Sequence, residues 1–206
     1  MIEDSFKAAM FDFDGTVTEK GVYSPSQEMV DALVKLANKM PIAFCTGRQL
    51  ESFVNHGLNS LIEEIKPEML NPFLENLCLM AENGSIGYYF DVEKNQFEEF
   101  YRISWPSDFI DKKKLIEMLE EAIKDYGYLH HSDEYPSHRV SIVLTTLLAS
   151  IPPEERDINE VYRLSGEIFK KTIELLEKIN PNYENFLHIG NSGIGNAISG
   201  VNLAND

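Results

Sequence analysis

Two cysteines and one tryptophan are all that the 206 residues hold of those types, and no apolar run approaches membrane-spanning length. Each shortage excludes something. With only Cys45 and Cys78, both in apolar strand-like runs, a disulfide framework is excluded as the source of stability. They read as reduced core thiols, with one bridge between them as the open alternative. The missing hydrophobic span excludes a helical membrane anchor, and Glu3 and Asp4 stand where a secretory leader needs basic residues, so the cytoplasm is the expected setting. Positive charge is scarce as well: Lys+Arg 18 against Asp+Glu 34 leaves −16. A field of that sign repels polyanions and argues against nucleic acid or an anionic membrane as a partner. A small phosphorylated metabolite stays compatible, because a bound divalent ion and one or two local cations invert the potential inside a pocket. The sequence is silent on oligomeric state.

What is present suits an ordinary globular protein, 43% hydrophobic and 11% aromatic, long enough for a core domain with a smaller insert. There are no internal repeats and no low-complexity segment. Residues 8–18, Ala-Ala-Met-Phe-Asp-Phe-Asp-Gly-Thr-Val-Thr, organise the rest. The apolar run reads as a strand buried on both faces, and chemistry in open α/β sheets gathers at the carboxyl ends of strands. Alternation places Asp12 and Asp14 on one side of the pleat and Phe11 and Phe13 on the other. Two carboxylates that close repel unless a cation compensates. Gly15 lets the backbone turn tightly enough to bring its own amide near a ligand. A nucleophile, an acid/base and a Mg²⁺ ion would fit in one small volume.

Along the chain, residues 7–13 form the first strand. Ser24-Pro25-Ser26-Gln27 reads as a helix start, with Ser24 as N-cap and Pro25 at the first helical position, and the apolar spacing carries the helix to about Asn38. Residues 41–46 are a second buried strand ending in Thr46-Gly47-Arg48, so this strand–helix–strand unit implies parallel pairing. Residues 49–65 read as helix, with Pro67 as a stop and a shorter helix before Asn76. Residues 77–81 are a third strand, ending in Glu82-Asn83-Gly84-Ser85. Residues 86–90 and 97–103 flank a turn at Glu93-Lys94-Asn95, a hairpin signal. A helix over 109–126, a strand over 139–148, a helix over 166–179 and a last strand over 185–190 complete the pattern.

Phe-Asp-Phe-Asp-Gly-Thr resembles the first motif of the haloacid dehalogenase (HAD) superfamily, hydrophobics followed by D-x-D-G-T. Thr46-Gly47-Arg48 at the next strand end is similar to that family's second motif, in the form found among Cof-type sugar phosphatases, sucrose-phosphate phosphatase and phosphomannomutase. Glu82-Asn83-Gly84 resembles the segment that leads into the cap domain of that subgroup, although an Asn-Gly turn accounts for the same residues. The resemblance implies an α/β fold: a doubly wound, mostly parallel HAD-like core over residues 1–85 and 160–206, with an α/β cap inserted over 86–159.

It also implies a chemistry. Asp12 attacks the phosphorus of a phosphate monoester, and Asp14 protonates the leaving oxygen and then activates water. Thr46 and a lysine orient the phosphoryl oxygens; Lys170, with Lys171 as the other candidate, stands for the third motif. Gly15, Thr16, Gly47, Arg48, Asn83 and Gly84 line the substrate, Arg48 either gripping phosphate bidentately or capping its helix. Mg²⁺ is implied at Asp12, Asp14 and Asn191. The fourth motif departs from the family pattern: Asn191 stands where an acid is usual, and Gly195 or Asn196 where the second acid belongs. Residues 194–198 read as a possible next strand. The implied activity is phosphatase action on a sugar or polyol phosphate. The alternatives are a phosphomutase or a catalytically impaired HAD-fold binding protein. His130, His131, Asp133, Glu134, His138 and Arg139 form a loop cluster open to a solvated, substrate-selecting or metal-binding role, and His56 and His188 read as structural.

Overall fold

A computed structural model describes residues 6–19, 22, 24–126, 128–129, 139–146, 151–191 and 195–200. The chain divides into two compact units, Met1–Arg102 and Ile103–Asp206. The fold is α/β.

In the first unit β1 (Ala9–Asp12), β2 (Ile42–Cys45) and β3 (Leu77–Ala81) run parallel in that order, and β4 (Ile86–Asp91) and β5 (Gln96–Arg102) continue the sheet as an antiparallel hairpin. The parallel strands are short and apolar, as a sheet with helical crossovers requires. One departure concerns β1. Its residues alternate rather than being buried throughout, and Met10 is 63% exposed; among the described residues β1 is an edge strand, paired with β2 alone. The burial reserved for both faces falls instead on Phe13, just past the strand.

Helix α1 (Gln27–Ala37) joins β1 to β2 and buries Val30, Leu33 and Ala37. It begins two residues later than the sequence suggests. Ser26, not Ser24, is the N-cap, its hydroxyl accepting the Met29 amide at 3.3 Å. Pro25 and Val30 then occupy the two positions of a hydrophobic staple. After β2 the chain is helical from Leu50 to Glu63, but its middle turn is wider: α2 (Leu50–Phe53) and α3 (Asn59–Glu63) flank a π-helical turn, Val54–Leu58. Gly57 in that turn lies against the aromatic core, where a Cβ would stand 3.0 Å from Phe13 Cε1 and 3.3 Å from Phe53 Cε2. Helix α4 (Pro67–Glu75), with Pro67 in its first turn, leads into β3.

The second unit packs α5 (Lys112–Ile123) and α6 (Ile158–Ile179) with a four-stranded antiparallel sheet ordered β6-β7-β9-β8, from β6 (Tyr128–Leu129), β7 (Ser141–Thr146), β8 (Leu187–Asn191) and β9 (Gly195–Gly200). Its core joins Leu115, Leu119 and Ile123 of α5 to Ile168 and Leu176 of α6 and to Ile142, Leu144, Leu187 and Ile198 of the sheet. Asp157 caps α6 by accepting from the Asn159 and Glu160 amides, so this helix starts well before Gly166, which lies in its interior. Trp105 Nε1 donates to the Ile110 carbonyl at 2.9 Å and fastens the turn before α5.

The expected division at 85/86 and 159/160 differs from the one observed. The 82–85 turn returns β4 antiparallel beside β3, and β5 pairs in turn with β4, so residues 86–102 continue the first sheet. The last strand and the strand after it, expected in the parallel core, pair antiparallel with each other as β8 and β9, and β9 pairs antiparallel with β7. His188 is exposed on β8, not buried. The cluster from His130 to His138 lies outside the described residues.

The close approach of Gly57 to Phe13 yields a test. Gly57→Ala gains roughly 1 kcal/mol of helix propensity but overpacks a filled core at a cost of about 1–3 kcal/mol. A net loss of stability, on the order of 1 kcal/mol, is expected in urea denaturation.

Candidate active site

The site is built from the carboxyl ends of β1, β2 and β3. The register sets Asp12 opposite Cys45, and the Phe13 amide donates to the Cys45 carbonyl at 3.3 Å, so the acid pair and Thr46 leave the sheet from adjacent parallel strands. Phe13, between the two aspartates, is 1% exposed and meets Phe44 and Phe53 edge-on, with ring centroids 5.1 and 4.9 Å away. Its carbonyl collects the amides of Thr16, Val17 and Thr18, which winds residues 14–17 into a tight turn. Gly15 holds φ +83° there, a conformation that favours glycine. With Phe13 driven inward, the carboxylates of Asp12 and Asp14 face outward, both exposed. Thr16 Oγ1 donates to Asp12 Oδ2 across a long 3.5 Å.

Two carboxylates in so short a stretch need a cation, and the structure supplies one. Arg48 donates from Nε to Asp14 Oδ2 at 3.1 Å and from Nη2 to Asp14 Oδ1 at 2.7 Å, a fork-on-fork pair. Sequence reasoning missed this contact; the partners stand 34 residues apart and no local pattern links them. Burial pushes the Cys45 thiol up and the Asp12 carboxylate adds to the effect, so Cys45 is a neutral thiol beside the acid.

The loop after β2 is pinned from β3. Thr46, 4% exposed, accepts the Arg48 amide on Oγ1 at 3.2 Å, and its carbonyl accepts the Asn83 amide at 3.0 Å. The Glu82 amide donates to the Arg48 carbonyl at 2.9 Å. These bonds need a left-handed turn: Glu82, Asn83 and Gly84 have φ of 50°, 59° and 83° in succession. Asn83 and Gly84 tolerate that geometry, whereas Glu82, buried at 1% and engaged by further partners, is held in it by its surroundings. Asn83 Oδ1 also lies 3.1 Å from where a Cβ on Gly47 would be. Gln49 caps α2 by accepting the Glu51 amide, leaving its buried Nε2 with no hydrogen-bond partner among the described residues.

Asp12, Asp14, Gly15, Thr16, Thr46, Gly47, Arg48, Asn83 and Gly84 thus share the first unit. Lys170 and Asn191 do not. Lys170 lies well inside α6 rather than near its start, 79% exposed and 4.0 Å from Glu174, because Asp157 begins the helix so early; Lys171 is 3.4 Å from the same glutamate. Asn191 ends a strand of the antiparallel sheet, its Oδ1 accepting the Ser165 hydroxyl at 2.9 Å. The resemblance expects Lys170 near the start of the helix before the last core strand and Asn191 just after that strand; β8, which Asn191 ends, pairs antiparallel with β9. Gly195 and Asn196 belong to β9. Among the described residues no group of three or more His, Cys, Asp or Glu side chains could hold a metal ion. The donors of the acid turn still fit Mg²⁺ in kind, since this hard cation takes oxygen ligands, keeps several waters and is often held by one or two carboxylates plus substrate phosphate.

No family model matches the chain, and no curated protein matches it. Solved structures do. An IMP-bound, N-terminally truncated IMP-nucleotidase of Plasmodium falciparum superposes with a TM-score of 0.60 at 17% identity, covering 96% of this chain and 53% of that one. A haloacid dehalogenase-like hydrolase of Bacteroides thetaiotaomicron gives 0.54 at 14% identity over 95% and 71%. The fold is haloacid dehalogenase-like. The C-terminal domain of C. albicans trehalose-6-phosphate phosphatase adds 0.54 at 14% identity over 94% and 57%. At these identities the likeness is one of fold, and the chain spans about half the length of the IMP-nucleotidase. Within the HAD-like fold, no helix among the described residues is long and apolar enough to cross a membrane.

The turns that carry this site make a stability prediction. Gly15→Ala and Gly84→Ala meet open space but keep φ at +83°, so each is expected to lose about 1–2 kcal/mol. Gly190→Ala, also in open space but with no positive φ, should stay within ~0.5 kcal/mol of the parent in the same denaturation assay.

Proposed function

We propose that the chain belongs to a Mg²⁺-dependent phosphatase that hydrolyses a small phosphate monoester through an aspartyl-phosphate on Asp12. The observation that carries this reading is the meeting of Asp12, Asp14 and Thr46 at the ends of two hydrogen-bonded parallel strands, with Arg48 as the local cation. The chain's net charge of −16 would repel an anionic substrate elsewhere on the surface; at the site the Arg48 guanidinium offsets one of the two carboxylates, and a bound Mg²⁺ would turn the local sign positive.

In this reading a carboxylate oxygen of Asp12 bonds to phosphorus as the ester P–O bond breaks. Asp14 gives its proton to the departing oxygen. It then takes a proton from a water that attacks the same phosphorus, which frees inorganic phosphate and restores Asp12. Thr46, with its hydroxyl already oriented by the Arg48 amide, donates to a phosphoryl oxygen, and backbone amides of the 14–16 turn and of Gly47 are available to the others. Asp12 and the Asp14 carbonyl would hold Mg²⁺, which when bound neutralises phosphate charge and fixes the line of attack. IMP and trehalose-6-phosphate, named for two of the structural neighbours, are the first substrates to try, beside simple sugar and polyol phosphates in a cytoplasmic setting.

A second reading has its own support. A HAD-like fold that binds phosphate without turnover is favoured by Asn191, an amide where the resemblance expects an acid. One assay separates them. Phosphate release from p-nitrophenyl phosphate, IMP and trehalose-6-phosphate is measured with Mg²⁺ and with chelator. The phosphatase reading predicts Mg²⁺-dependent turnover that falls on the order of 10³-fold or more in Asp12→Asn. Equal rates for the two proteins would overturn it.

A further inference from the structure

Arg48 occupies an unusual position: its backbone is fixed while its guanidinium grips a group that the proposed chemistry needs elsewhere. The amide of Arg48 donates to Thr46 Oγ1 within its own loop, and its carbonyl accepts the Glu82 amide from the left-handed turn. The side chain reaches the surface. It is 24% exposed and its partner Asp14 is 42% exposed, so water reaches the pair and screens it, and an arriving anion can compete for the same fork. A guanidinium fork that fits a carboxylate bidentately fits a phosphoryl group in the same way.

We propose that Arg48 is an exchangeable clamp, which holds the Asp14 carboxylate in the anion-free protein and passes to a phosphoryl group that arrives at the Asp12–Thr46 end of the sheet. While the clamp is closed, both Asp14 oxygens are aimed at Arg48 and not at a leaving group. Arrival of phosphate opens it, so one guanidinium both binds the anion and releases the acid/base. Anion binding and the availability of Asp14 are thereby coupled, and Asp14 competes with phosphate for the same fork. The proposal rests on the phosphatase reading only for what Asp14 does once released; the exchange itself needs only the ion pair and an anion.

The test is a double-mutant cycle on binding of inorganic phosphate, followed by calorimetry with and without Mg²⁺, for the parent, Asp14→Asn, Arg48→Ala and the double variant. The clamp predicts that Asp14→Asn, by freeing the fork, tightens phosphate about tenfold, and that Arg48→Ala weakens it by a similar factor. In the Arg48→Ala background the Asp14→Asn gain should shrink to about twofold, the residue of removing one negative charge. Arg48→Lys, which keeps the charge but not the fork, should recover only part of the affinity. Thermal melting of each variant in the same buffer shows that the compared proteins are folded.

An equal gain from Asp14→Asn in both backgrounds would overturn the clamp, as would unchanged affinity in Arg48→Ala or no saturable phosphate binding by either the parent or Asp14→Asn. Independence from the phosphatase reading shows in two outcomes: coupled binding without turnover supports the clamp and contradicts that reading, while turnover with additive binding overturns the clamp alone.

Discussion

The burial of Phe13 is the constraint from which the candidate site follows. One residue separates the two aspartates, and its ring is locked edge-on between Phe44 and Phe53. Such aromatic contacts add to an already large burial energy. With the ring inside, the pleat leaves Asp12 and Asp14 no direction but outward. The π-helical turn around Gly57 belongs to the same device, since only a residue without Cβ lets that helix approach the Phe13 ring so closely. Core packing and the placement of the acid pair are here one event, so a change that loosens the aromatic cluster would also loosen the site.

A second layer of organisation comes from β3. Three consecutive left-handed residues are rare outside glycine-rich turns, and they persist only where the surroundings over-determine them. Here they bring the Glu82 and Asn83 amides onto the carbonyls of Arg48 and Thr46. The backbone of the loop after β2 is therefore pinned, and it fixes the point from which the Arg48 side chain reaches Asp14.

Much of this was legible in the residues. Local signals found the strands: β3 has the expected bounds, and the 86–102 hairpin turns at Asn95 with φ 52°, as its turn chemistry suggested. The D-x-D-G-T and T-G-R motifs were readable because each is a contiguous backbone feature, a strand end followed by a tight turn. What was not legible is tertiary. The Asp14–Arg48 pair joins distant residues, the early start of α6, which sets Lys170 deep in that helix, depends on a single capping aspartate at 157, and the expected place of Asn191 assumed a parallel core strand where β8 pairs antiparallel with β9. Strand direction cannot be read from an apolar run alone, so a motif placed on such a run inherits the uncertainty of its partner.

The central claim is that Asp12 accepts a phosphoryl group. The most direct measurement is ¹⁹F NMR of the chain with Mg²⁺ and beryllofluoride, which mimics phosphoryl on a nucleophilic aspartate. The account predicts bound fluoride resonances in the parent protein that vanish in Asp12→Asn and survive in Asp14→Asn. Bound resonances that persist without the Asp12 carboxylate, or a parent protein that shows none, would contradict it.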